Sequence, residues 1–138
     1  MNNLGAPAGT PLLLVLMATQ EGYGRAGTIP TRDNNPGDLT HSPHSLHPGN
    51  PNAIGIEPSS ADGWADFRRQ VLLDVERNPV LTLTGLIYDW CPPDDGITPL
   101  LKGNNPRVYL ANVLAGFQKA GYSVGNTTTV SIAMEIEA

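Results

Sequence analysis

Glu21 closes an apolar run, residues 10–19 (Thr-Pro-Leu-Leu-Leu-Val-Leu-Met-Ala-Thr), and Gly22 follows it at once. The run reads as a buried helix, with Thr10 as N-cap and Pro11 at the first helical position. Gly22 supplies the left-handed residue that stops it. A carboxylate in the last turn faces the negative end of the helix dipole, and apolar neighbours raise its pKa by desolvation. Both effects keep a proton on Glu21 near neutral pH, which is what protonating a glycosidic oxygen requires. A solvated helix end is the plainer reading of the same residue.

Acid catalysis on a glycoside usually needs a second carboxylate. Its separation from the acid is roughly 5–5.5 Å in retaining enzymes and 6.5–9.5 Å in inverting ones. Asp33, Asp38 and Glu57 are the candidates, although both aspartates equally suit turn capping in the loop Arg32-Asp33-Asn34-Asn35-Pro36-Gly37-Asp38-Leu39. Pro36-Gly37 suits the centre of a type II turn, with positive φ at Gly37. Asn34, Asn35 and Gln70 offer amides, either to sugar hydroxyl and acetamido groups or to the loop's own backbone. Tyr23, Tyr88, Trp90 and Tyr109 offer faces for sugar stacking, while Trp64 and Trp90 sit at helical spacing and also read as core.

Taken together, Glu21-Gly22-Tyr23, the Asn34-Asn35-Pro36-Gly37-Asp38 element, Asp62-Gly63-Trp64-Ala65-Asp66, and Tyr88 with Pro92-Pro93 resemble the small phage and prophage members of the lysozyme superfamily. These are related to goose-type lysozymes, soluble lytic transglycosylases and bacterial endo-N-acetylglucosaminidases. The resemblance spans roughly residues 10–120, and Pro36 and Asp38 depart from the glucosaminidase pattern. It implies an α+β lysozyme-like fold and cleavage of the β-1,4 bond between N-acetylmuramic acid and N-acetylglucosamine, with Glu21 as general acid. Lytic transglycosylases manage with one glutamate, because the substrate's own 6-hydroxyl closes on the anomeric carbon. The implied partners are peptidoglycan glycan strands and phage tail or virion proteins, and the implied place of action is the bacterial wall, from the periplasm or the outer face. A non-catalytic phage structural or peptidoglycan-binding module on the same fold is the alternative.

Composition bounds these readings. The formal net charge of −5 argues against nucleic-acid binding, which needs a basic face. One cysteine, Cys91, permits no internal disulfide, and with no charged activator beside it the thiol reads as structural. His41, His44 and His47 recur every three residues, but Pro43 and Pro48 oppose a helix and no nearby cysteine completes a site, so neither metal nor cofactor is expected. Residues 12–18 are too few for a membrane span, which takes about 20. Residues 1–10 contain no lysine or arginine, so no secretory leader is evident.

The elements that must position these side chains form a mainly helical domain over residues 1–121. Ser60 caps a helix that runs to about Glu76, burying Trp64, Phe67, Val71 and Leu72. Thr82 or Thr84 opens another, with Leu83, Leu86, Ile87 and Trp90 inward, and Pro92-Pro93 closes it. Asn105 caps a third, which Pro106 starts, Val108, Leu110, Val113, Leu114 and Phe117 bury, and Gly121 ends. Residues 22–59, dense in Gly, Pro, Asn, Ser and His, form a loop-rich lobe with at most a short hairpin, its best strand at 54–57. Lobe and helices would face each other across a cleft. Residues 122–138 read as a tail, with a β-prone run at 127–132 suited to an edge strand or a partner contact.

Overall fold

The computed structural model describes residues 2–40, 42–46 and 54–138. The chain is mainly helical: α1 Leu12–Glu21, α2 Ile29–Arg32, α3 Ser60–Arg77, α4 Leu83–Trp90, α5 Pro106–Lys119 and α6 Val130–Ala133, with one 3-10 turn at Pro99–Leu101. Among the described residues β pairing amounts to two isolated bridges, Pro11 with Glu137 and Thr82 with Thr129, so the expected hairpin strand at 54–57 is absent there. No helix among them is long and apolar enough to cross a membrane.

α1 is the central element. Leu12, Leu13, Leu14, Val15, Met17 and Ala18 are all buried, which is the pattern of a helix hydrophobic all round and wrapped by its neighbours. α5 packs along it and α4 packs on α5, through Val113, Phe117, Leu83, Leu86 and Ile87. Trp64, Phe67 and Val71 of α3 complete the core. Two expected core residues are not in it: Leu72 and Val108 lie on outer faces.

Helix caps follow the chain closely but not everywhere. α3 takes Ser59 rather than Ser60 as its cap, the Ser59 side chain accepting from Asp62 N. Thr82 and Asn105 cap α4 and α5 through Gly85 N and Val108 N. α1 starts one residue late, since Thr10 Oγ1 donates to the Pro7 carbonyl instead of capping. The first α1 amide, Leu12 N, is satisfied from the far end of the chain by the Ile136 carbonyl at 2.7 Å.

Residues 122–138 are thereby built into the domain rather than left as a tail. Leu83 N and Thr84 N at the start of α4 donate to the Thr128 and Asn126 carbonyls at 2.9 and 3.1 Å, and Ala138 N donates to the Thr10 carbonyl at 2.9 Å. The opening turn of a helix leaves amides without partners, and this segment supplies them to α1 and α4. Val130 and Ala133 are fully buried. The β-prone run at 127–132 contributes one bridge residue, Thr129, and the start of α6.

Candidate active site

α1 ends as its sequence dictates. Gly22 adopts φ 87° in the left-handed region, and its amide and that of Tyr23 close on the Thr19 and Ala18 carbonyls. This fixes Glu21 on the last turn, half-buried and turned toward α5. The Tyr109 hydroxyl lies 3.0 Å from Glu21 Oε1 and 3.2 Å from the Met17 carbonyl, so its one proton serves either acceptor. One turn further along α5, Asn112 Nδ2 donates to Gln20 Oε1 at 2.9 Å, which latches the two helices together at this end.

Burial, the nearby charge of Asp38 and, in opposition, the Tyr109 hydrogen bond set the Glu21 carboxyl, which is pushed up to about 7. Asp38 is raised to about 6 by burial and by the charge of Asp33. Asp38 thus raises the cost of ionising Glu21 and is itself disfavoured as an anion by burial and by Asp33. One oxygen of Asp38, Oδ1, is buried with no hydrogen-bond partner among the described residues. Tyr109 is itself held well above 10 by burial and by Glu21, and it stays a neutral donor. Cys91, at the end of α4, has its thiol raised by burial and then by Glu21; an acid neighbour keeps the thiol protonated, which suits a structural role.

The loop bearing Asp38 is organised by Asn35. Its side chain is wholly buried and donates to the Leu39 and Gly55 carbonyls at 2.8 and 2.9 Å while accepting from Leu39 N at 2.9 Å. Both amide protons are spent on the loop, so of the two expected roles Asn35 fills the one that holds the lobe's backbone. Asn34 Nδ2 donates to the Glu57 carbonyl at 3.4 Å. The turn is not type II at Gly37: the left-handed residues are Asn34 and Asp38, each with φ 53°, a region that Asn and Asp tolerate. Gly37 is required for space instead, since a Cβ there would stand 2.8 Å from Phe67 Cδ1. Asp33 is buried and paired with Arg32 Nε at 2.8 Å, and this pairing occupies it at the C-terminus of α2.

The expected aromatic platform is largely core. Tyr23 is buried, shares a hydrogen bond with Ser60 Oγ at 2.8 Å and meets Trp64 edge-on at 5.5 Å. Trp64 stacks on Phe67 and Phe67 packs on Trp90, making a row beneath the lobe. Trp90 Nε1 donates to the Gly37 carbonyl at 3.2 Å, so it supports the loop from below. Tyr109 is likewise buried and presents its hydroxyl, not its face, to the site. Tyr88 is exposed on α4, and no described hydrogen bond or ring contact joins it to Glu21 or Asp38. From Asp38 an open groove of about 550 Å³ runs between the loop, α3 and α4, past Gln70, Asp74, Asp89 and Trp90.

No family model matches the chain, and neither does any curated protein or solved structure.

Glu21 is joined by Asp38 and not by the other two candidate carboxylates. Glu57 lies behind the loop, hydrogen-bonded to Ser42, with Asp66 and His44 beside it. This second cluster was not visible in the sequence, where its four members are spread over 25 residues with no common spacing. His44 faces Asp66, Nδ1 to Oδ1 at 2.5 Å. Among the described residues no group of three histidine, cysteine or acidic side chains is placed to hold a metal. His41 and His47 lie outside the described residues.

Proposed function

We propose that this protein is a glycosidase that cuts the MurNAc–GlcNAc β-1,4 bond of peptidoglycan, with Glu21 as general acid and Asp38 as the second carboxylate. The observation that carries this reading is the Glu21–Asp38 pair: two carboxyls in one corner, titrating near 7 and near 6. Between those values the site holds one proton, and the more buried Glu21 keeps it. Pairs of carboxyls driven apart in this way are the usual division into acid and base.

In the reaction Glu21 delivers its proton to the glycosidic oxygen as the bond to the anomeric carbon breaks. Tyr109 donates to Oε1, which leaves the proton for Oε2, the oxygen free to meet a leaving group. Asp38, ionised, offsets the positive charge that develops on the sugar or takes the proton of the attacking nucleophile. That nucleophile is water in hydrolysis, or the substrate's 6-hydroxyl in an anhydro-forming transglycosylation. The open groove leading away from Asp38, lined by Gln70, Asp74 and Asp89, offers polar side chains to a glycan. With a chain charge of −5, affinity for an anionic wall comes from groove contacts rather than from long-range attraction. The same reading makes the protein phage- or prophage-encoded and active on the bacterial wall.

The test is incubation with purified peptidoglycan, following turbidity and the mass of released fragments. Reducing muramic ends mean hydrolysis, and 1,6-anhydro ends mean transglycosylation. Binding without release by the folded protein would overturn the enzymatic reading in favour of a peptidoglycan-binding module.

A further inference from the structure

The loop that carries Asp38 is tied by its backbone to residues 54–57. Glu57 N donates to the Asp33 carbonyl at 2.9 Å, and Gly55 N donates to the Leu39 carbonyl at 2.8 Å. Asn34 and Asn35 add side-chain bonds to the Glu57 and Gly55 carbonyls. What holds 54–57 is therefore also what holds Asp38. The Glu57 side chain reaches inward to α3, where it meets Asp66, and both residues are only 1% exposed.

These two carboxyls are within hydrogen-bonding reach of one another. Asp66 is well supplied with donors: His44 Nδ1 stands 2.5 Å from Oδ1, and His44 N donates to Oδ2 at 3.0 Å. Among the described residues Glu57 has one outside donor, the Ser42 hydroxyl on Oε1, and its Oε2 is buried with none. Two ionised carboxylates cannot stay in contact away from water, and a buried oxygen without a donor is costly. A proton on Glu57 Oε2, donated to Asp66, removes both penalties. Asp66 takes the charge because His44 bonds to it directly; Glu57, bonded to the neutral Ser42 hydroxyl and feeling His44 only as a more distant charge, takes the proton.

We propose that Glu57 is a positioning residue held as a neutral acid, whose Oε2–H donates to Asp66 and so locks the Asp38 loop onto α3, with His44 and Ser42 completing the lock. Its effect on rate rests on the role proposed for Asp38; the lock itself rests on the cluster of buried Glu57 and Asp66 with His44 and Ser42 and does not depend on that role.

The lock is sensitive to pH, with a definite sign. Burial pushes Glu57 above 4.5, so its contribution is complete below 4.5 and is lost as pH rises through the higher folded value. The hydrogen bond that His44 donates to Asp66 raises His44 above 6.5, and that contribution fades in the same direction. Burial opposes ionisation of Asp66, but donors from His44, Glu57 and Ser42 outweigh it and hold Asp66 below 3.8. The lock is tightest in mild acid. Among the described residues the other charged group facing it is Asp62, 4.0 Å from His44 Nε2, which also favours the imidazolium.

Carbon-13 NMR of the intact protein reads the Glu57 carboxyl directly, and hydrogen exchange at Gly55 N and Leu39 N reads the lock. Glu57 should ionise above 4.5, and protection at both amides, corrected for intrinsic exchange, should fall by up to about tenfold per pH unit between 4.5 and the folded carboxyl's own midpoint and then level off. Glu57→Gln keeps a neutral donor toward Asp66 and should abolish the fall that begins at 4.5, leaving only the loss due to His44 above 6.5. Ionisation of Glu57 at or below 4.5, or the same pH dependence in a folded Glu57→Gln protein, overturns the proposal. If the variant does not fold, the wild-type carboxyl titration decides. Peptidoglycan release measured alongside separates the two readings: a lock that titrates as stated in a protein that cleaves nothing rejects the glycosidase and upholds the lock.

Discussion

Replacing Glu21 with glutamine should make the protein both inactive and more stable, and the second effect has a size that the structure sets. The carboxyl titrates near 7 when folded and at 4.5 when free. Below pH 4.5 it is neutral in both states and costs nothing. As pH rises past 4.5 the unfolded chain ionises first, so the fold loses stability until the folded carboxyl ionises near 7, after which the penalty is constant. Converted at 1.36 kcal/mol per unit, the loss by pH 8 is roughly 3 kcal/mol. Glutamine fills the same volume, still accepts from Tyr109 through Oε1, and carries no charge to desolvate. Glu21→Gln should therefore match wild type at pH 4.5 and exceed it by roughly 3 kcal/mol at pH 8, or roughly 10 °C in Tm for a domain of this size. Thermal denaturation at the two pH values measures this, and peptidoglycan turbidity should report a rate loss of about a hundredfold or more. Equal stability at both pH values, or a variant less stable than wild type at pH 8, would refute the claim that Glu21 is held protonated by its surroundings. Near-normal turnover would refute its role as the acid.

Tyr109→Phe removes the hydrogen bond that favours ionised Glu21, so the alkaline limb of the pH–rate profile should move up from about 7 by up to roughly one unit; a limb that stays or moves down contradicts the assignment. Gly63→Ala should destabilise by about 2 kcal/mol or more and disorder the Asp38 loop, because a Cβ there would stand 1.9 Å from the Asn34 backbone oxygen, and urea denaturation with amide exchange at Leu39 checks both. EDTA treatment should leave Tm unchanged, because His44 is engaged by Asp66; a stoichiometric metal lost together with stability would overturn this.

What the chain determined alone is what local chemistry controls. The unbroken apolar run before Glu21 has no polar face to turn outward, so it makes a central helix. Gly22 ends that helix at low steric cost, and together they place a carboxyl at a buried, dipole-disfavoured terminus. Thr82, Asn105 and Pro106 mark helix starts for equally local reasons, and Asn78 and Pro92 mark ends. Every part of the site that depends on a partner distant in sequence had to wait for the fold. Asp33 and Asp38 stand five residues apart in one loop, and nothing in their spacing says that Arg32 occupies the first while the second turns toward Glu21. Left-handed backbone at Asn34 and Asp38, imposed by Asn35 and by the aromatic row beneath, makes that choice. Tyr109 lies 88 residues from Glu21 and reads as a core or stacking aromatic until α5 is laid along α1. The β-prone run at 127–132 gives way to α6 in a segment whose carbonyls, at Asn126, Thr128 and Ile136, accept the open amides at the starts of α4 and α1. Periodicity and capping act within a turn or two, whereas the pairing of buried charges is settled by which helices pack, and that is a property of the whole core.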